Sequence, residues 1–127
     1  MPDPRRLKKR SEFQRAYQDG GKYWNRYFVI YIRPTGFAYS RLGITVSKKV
    51  GNSVQRNRVK RLIRESFRHL CPHIQAAYDI VVVGRTTATR LKCQEAANAL
   101  CRLFRSASIL NRANVTTTPW RRNRNSQ

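Results

Sequence analysis

Residues 48–65 read KKVGNSVQRNRVKRLIRE, and Lys48, Lys49, Arg56, Arg58, Lys60, Arg61 and Arg64 all precede the first carboxylate of the stretch, Glu65. Gly51 and Asn52 break the chain before a helix that runs from about Val54 to Leu70, with Asn52 or Ser53 as its cap. At about 100° per residue, Val59, Leu62, Ile63, Ser66, Phe67 and Leu70 fall on one side of that helix. Asn57, Lys60, Arg61, Arg64 and Arg68 fall on the other. One face must bury against a layer built elsewhere in the chain. The other must meet solvent or a partner.

A solvated face is the ordinary reading of such cations when acids are interleaved with them. Here no acid lies between Asp19 and Glu65, so Arg56/Lys60 and Lys60/Arg64, each at i,i+4, repel unless something neutralises them. Phosphate does so, and the planar guanidinium fork grips two of its oxygens at once. Asn57, between Arg56 and Arg58, adds a neutral donor and acceptor.

Working outward, RYFVIYIR at 26–33 alternates as a strand, with Phe28, Ile30 and Ile32 opposed to Tyr27, Val29, Tyr31 and Arg33. RLGITVS at 41–47 repeats the alternation beyond a turn at Pro34 to Gly36, which suggests a hairpin between the two. YDIVVVGR at 78–85 is apolar on both faces and therefore central. Arg10 to Asp19 forms a short helix capped by Ser11 and ended by Gly20-Gly21, with Phe13 and Tyr17 one turn apart. A last helix near Lys92 to Ser108 carries Cys93, Ala96, Ala97, Leu100, Cys101, Phe104 and Ala107 on one stripe, so packing accounts for two of the three cysteines. The chain divides into one domain, residues 1–110, and a flexible basic tail, residues 111–127, which has neither period.

With 27 Lys and Arg against 6 Asp and Glu, the net charge of +21 points to a polyanion. A membrane is the weakest candidate, because no apolar run approaches the roughly 20 residues of a spanning helix. The basic N-terminus lacks the apolar region of a signal peptide, so a cytoplasmic location is expected, with reduced thiols at Cys71, Cys93 and Cys101. His69, Cys71 and His73 lack a fourth ligand and are split by Pro72, so no metal site is expected. Charge leaves RNA and DNA both open. Phe13, Tyr17 and Tyr31 favour single-stranded RNA, whose unstacked bases lie on aromatic rings, although ordinary half-buried aromatics would look the same.

SKKVGNSVQRNRVKRLIRE, preceded by LKKRSEFQRAYQDG, NRYFVIYIR and RLGITVSKK and followed by YDIVVVGR and the last helix, closely resembles the bacterial ribonuclease P protein subunit over about residues 5–108. The resemblance implies an α+β fold: a two-layer α/β sandwich like the second domain of ribosomal protein S5, with about four strands and a left-handed βαβ crossover. It implies an accessory to a catalytic RNA that removes the 5′ leader of precursor tRNA, one protein per RNA. The implied RNA-facing residues are Lys48, Lys49, Asn52, Arg56, Asn57, Arg58, Lys60, Arg61 and Arg64. Lys9, Phe13, Tyr17, Val29 and Tyr31 form the implied leader cleft, with Tyr17 standing where the family frequently has Phe. Asp3, Glu12, Asp19, Glu65, Asp79 and Glu95 are scattered singly, so no catalytic residue is expected in the protein, and the resemblance implies Mg2+ held mainly by RNA. A ribosomal or other structural RNA-binding protein, and a stand-alone ribonuclease using His69 and His73, are the rival readings.

Overall fold

The computed structural model describes residues 5–36, 39–74 and 77–110, so the expected tail at 111–127 lies outside the described residues. Among the described residues there are three α-helices: α1 (Arg10–Asp19), α2 (Ser53–Leu70) and α3 (Cys93–Ser106). Asn52 caps α2 reciprocally: its Oδ1 accepts from the Gln55 N–H at 2.9 Å, and Gln55 Oε1 accepts from the Asn52 N–H at 2.9 Å. Gly51 just before the cap has φ of 156°, and a Cβ there would meet Gln55 Oε1 at 2.1 Å, so this entry into the helix requires glycine. Val59, Leu62, Ile63, Ser66, Phe67 and Leu70 are the buried residues of α2, the face that the periodicity selects. Ser66 is tolerated there because its hydroxyl donates to the Leu62 carbonyl at 2.7 Å.

The strands are β1 (Arg5–Arg6), β2 (Gly21–Trp24), β3 (Phe28–Pro34), β4 (Arg41–Val46) and β5 (Tyr78–Gly84), in the sheet order β1-β4-β5-β3-β2. Five strands replace the expected four or so, because short β1 and β2 add one edge each. The expected hairpin between β3 and β4 does not form. β5 lies between them, antiparallel to β3 and parallel to β4, since a strand apolar on both faces buries both edges only in the middle of a sheet. β4, α2 and β5 thus make a βαβ unit with the basic helix as its crossover.

Phe28, Ile30, Ile32, Ile80 and Val82 face α2 and α3 in the main core. On the opposite face Val81 packs with Leu7 and Ala16, joined by Phe13, Tyr31 and Val83, so α1 lies across only part of that side. Two local expectations are corrected. Lys9, not Ser11, is the N-cap of α1, because Glu12 reaches back to accept from the N–H groups of Lys8 and Lys9 at 2.9 Å each. Cys93 is exposed in the first turn of α3, whereas Cys101 is buried.

Candidate nucleic-acid interface

Gly43 on β4 makes the site possible. A Cβ at that position would lie 2.7 Å from Phe13 Cε2, so the missing side chain lets the Phe13 ring rest on the sheet. There Phe13 lines a cleft of about 270 Å³ with Arg6, Leu7, Lys8, Lys60 and Arg64. Aromatic and cationic groups some fifty residues apart in sequence, Phe13 and Lys60 with Arg64, therefore line one cleft.

One turn further along α1, the Tyr17 ring stands edge-on to Tyr31 with centroids 4.8 Å apart, and its hydroxyl is 3.2 Å from Thr45 Oγ1 on β4. Antiparallel register places Val29 opposite Val83, and Tyr31 opposite Val81, on the face that α1 leaves partly uncovered. Tyr17, Tyr31, Val29 and Phe13 are thus brought together. Lys9 is exposed at the start of α1, where its backbone serves the Glu12 cap.

The basic residues separate into different roles. Lys48 and Lys49 are exposed on the 3₁₀ turn that precedes α2. Asn57 and Arg61 are exposed on the helix, with Lys60 and Arg64 half-buried at the cleft. Among the described residues, Lys60, Arg61 and Arg64 form no ion pair, because the nearest acid in sequence, Glu65, is taken by Arg68 at 2.8 Å. Arg56 Nη2 donates to Ser53 Oγ at 3.2 Å, while the buried Nε atoms of Arg56 and Arg64 meet no described acceptor. Buried donors left without acceptors are costly until an anion arrives. Asn52 and Arg58 are used within the fold: the first as the α2 cap, the second donating to the carbonyls of Thr89 at 2.9 Å and Leu91 at 2.6 Å.

Among the five described acids, three are not isolated, contrary to the sequence reading: Asp19 and Asp79 both approach Arg33, at 4.0 and 3.8 Å. Glu12 and Asp79 converge on Arg41, whose Nη1 donates to Glu12 Oε2 at 2.6 Å and whose Nε and Nη2 donate to Asp79 Oδ1 and Oδ2 at 2.8 Å each. The N–H groups of Lys9 and Lys8, with Arg41 beside them, hold the Glu12 carboxyl at about 2, well below the usual 4.5. The network ties α1 to the central strands and so sets the height of Phe13 and Tyr17 above the sheet. Sequence reading also missed Lys22 and Trp24 on β2: Lys22 Nζ lies 5.9 Å from the ring centroids of both Tyr31 and Trp24. Their signal was the alternation in GKYW, hidden by reading the glycines only as a helix stop.

A family model described as Ribonuclease P matches residues 1–108. The ribonuclease P protein component of Oceanobacillus iheyensis is 38% identical over 114 residues, which cover 89% of this chain and 94% of that one. The solved ribonuclease P protein of Staphylococcus aureus superposes with a TM-score of 0.77 at 41% identity, covering 84% of this chain and 97% of that one. A mutant of the S. aureus protein, described as having defective mRNA degradation activity, gives a TM-score of 0.77 at 40% identity over 83% of this chain and 89% of that one. With its basic crossover helix, its aromatic cleft and these relatives, the chain belongs to the ribonuclease P protein family.

Proposed function

We propose that the protein is the RNA-binding subunit of ribonuclease P, assisting a catalytic RNA in cutting the 5′ leader from precursor tRNA. The observation that carries this reading is the cleft of about 270 Å³ where Phe13 meets Lys60 and Arg64. One end of the path it opens is cationic and suits a folded RNA backbone. The other end, with Tyr17, Tyr31 and Val29, suits unstacked bases of a leader. Lys48, Lys49, Arg56, Asn57, Lys60, Arg61 and Arg64 hold the catalytic RNA, and Asn52 and Arg58 keep their helix in position for it. One protein serves one RNA, in the cytoplasm. No helix among the described residues is long and apolar enough to cross a membrane.

Chemistry is assigned to the RNA. Hard divalent cations need clustered oxygen ligands, and the described carboxylates that the fold brings near one another are already shared by arginines, Glu12 and Asp79 by Arg41 and Asp19 and Asp79 by Arg33. These residues do not fit a protein-held Mg2+ site, so the metal is assigned to RNA phosphates, with the protein's cations raising the affinity of the particle for substrate and Mg2+. The second reading is a stand-alone ribonuclease using His69 and His73 as acid and base; the S. aureus mutant is described as defective in mRNA degradation activity.

Reconstitution separates the two. Purified protein should leave precursor tRNA intact, and adding catalytic RNA with Mg2+ should release the leader at the mature 5′ end. Robust cleavage without RNA, lost in His69→Ala, would establish the second reading and defeat the first.

A further inference from the structure

The leader cleft does not stop at Tyr31. In the β2–β3 register Lys22 pairs with Tyr31 and Trp24 with Val29, and directly paired residues of antiparallel strands project from the same face. Tyr23, between them, turns inward against the core. Trp24 therefore stands on the open face at the edge of the sheet, 64% exposed, a large ring that contributes little to the core. Lys22 Nζ sits between two rings, 5.9 Å from Trp24 on one side and 5.9 Å from Tyr31 on the other. Ring, cation, ring is the complement of base, phosphate, base.

The charge around this edge is of one sign. Beyond Trp24 the surface falls into a second cleft of about 380 Å³ walled by Trp24, Arg26, Tyr27, Arg102 and Leu103. Described acids are engaged elsewhere: Glu12 and Asp79 on Arg41, Asp19 near Arg33, Glu65 on Arg68, and Glu95 accepting from the Lys92 N–H. A neutral protein surface would leave the cations flanking Trp24 uncompensated, and carboxylates of an acidic one would not cover the ring face; a single strand of RNA supplies both the charge and the stacking base.

We propose that Trp24 and Lys22 form an additional leader-binding position, in which one more unpaired nucleotide stacks on Trp24 while Lys22 holds the phosphate between it and the base at Tyr31. This rests on the leader cleft proposed above, and it sets how long a leader the protein reads. Counted from the cations at Lys60 and Arg64, Trp24 is the outermost ring of the series, so it takes a nucleotide further from the cleavage site than the one at Tyr31.

The test uses the holoenzyme assembled from full-length protein and catalytic RNA, and precursor tRNAs whose leaders lengthen one nucleotide at a time. The unmodified protein should show a gain in affinity at one added nucleotide that Trp24→Ala lacks, a difference of about fivefold or more. Trp24→Phe should keep most of it, and mature tRNA should bind all variants alike. In Trp120→Phe protein, Trp24 fluorescence should change when a long-leader substrate binds and stay constant with mature tRNA. If Trp24→Ala follows the unmodified protein at every length while Tyr31→Ala loses leader-dependent affinity, the extension is wrong and the cleft stands. If Tyr31→Ala is also indifferent to the leader, the cleft reading fails and takes the extension with it. Equal loss for mature tRNA would make Trp24 an assembly residue and overturn the proposal as well.

Discussion

Arg58 and Arg61 lie less than one turn apart on α2 and do different things. Arg58 donates to two backbone carbonyls beyond β5, whereas Arg61 is exposed without an ion pair among the described residues. Arg58→Ala should therefore lower stability by about 1–2 kcal/mol in a denaturant melt, the scale of charged hydrogen bonds partly open to water. Arg61→Ala should stay within about 0.5 kcal/mol and lose RNA affinity instead. Arg41 is the most consequential single cation for the fold. Removing it in Arg41→Ala leaves Asp79, 2% exposed, without its bidentate partner, and a loss of about 3 kcal/mol is expected. Glu12 adds a pH dependence. Its carboxyl is held at about 2 against an ordinary 4.5, so its contribution is complete above pH 4.5 and is lost as pH falls toward 2. Melts across that range should show the decline, and Glu12→Gln should remove part of it. None of this network was legible in the sequence, because Glu12, Arg41 and Asp79 are brought together only by the order of the strands.

At the scale of elements, α2 was the most legible part of the chain. A continuous 3.6-residue period over 18 residues leaves one solution for the buried face, and its exposed face follows by exclusion. The pairing of the strands was not legible. Alternation in β3 and β4 tells which side chains point together within each strand and is silent about neighbours, so proximity in sequence suggested a hairpin that β5 pre-empts. The two-residue β1 is too short for any period to register, and the alternation of the four-residue β2 was masked by its leading glycine read as a helix stop, so Trp24 went with it. For α2, the test is the salt dependence of binding to the catalytic RNA. Each phosphate contact contributes about 0.7 to 0.9 to the slope of log affinity against log salt. Arg61→Ala and Arg64→Ala should each flatten the slope by about that amount, and an unchanged slope in both would place the RNA on another face.

Across the whole molecule, residues far apart in sequence line up as one path: Lys60 and Arg64 beside Phe13, Phe13 a turn from Tyr17, Tyr17 against Tyr31, and Lys22 between Tyr31 and Trp24. The sheet supplies the floor and Gly43 the clearance, while the Arg41 network fixes the height of α1 above them. A left-handed βαβ crossover was implied by the resemblance alone and is written in no motif of the chain. Such a path divides labour, cations for a folded RNA and rings for a single strand, and the division is what has to be measured. In the assembled particle, Tyr31→Ala should weaken binding of precursor tRNA by about 1–3 kcal/mol and leave binding of mature tRNA, which has no leader to stack, nearly unchanged. An equal loss for precursor and mature tRNA, in a variant that folds and assembles normally, would contradict the assignment of this face to the leader.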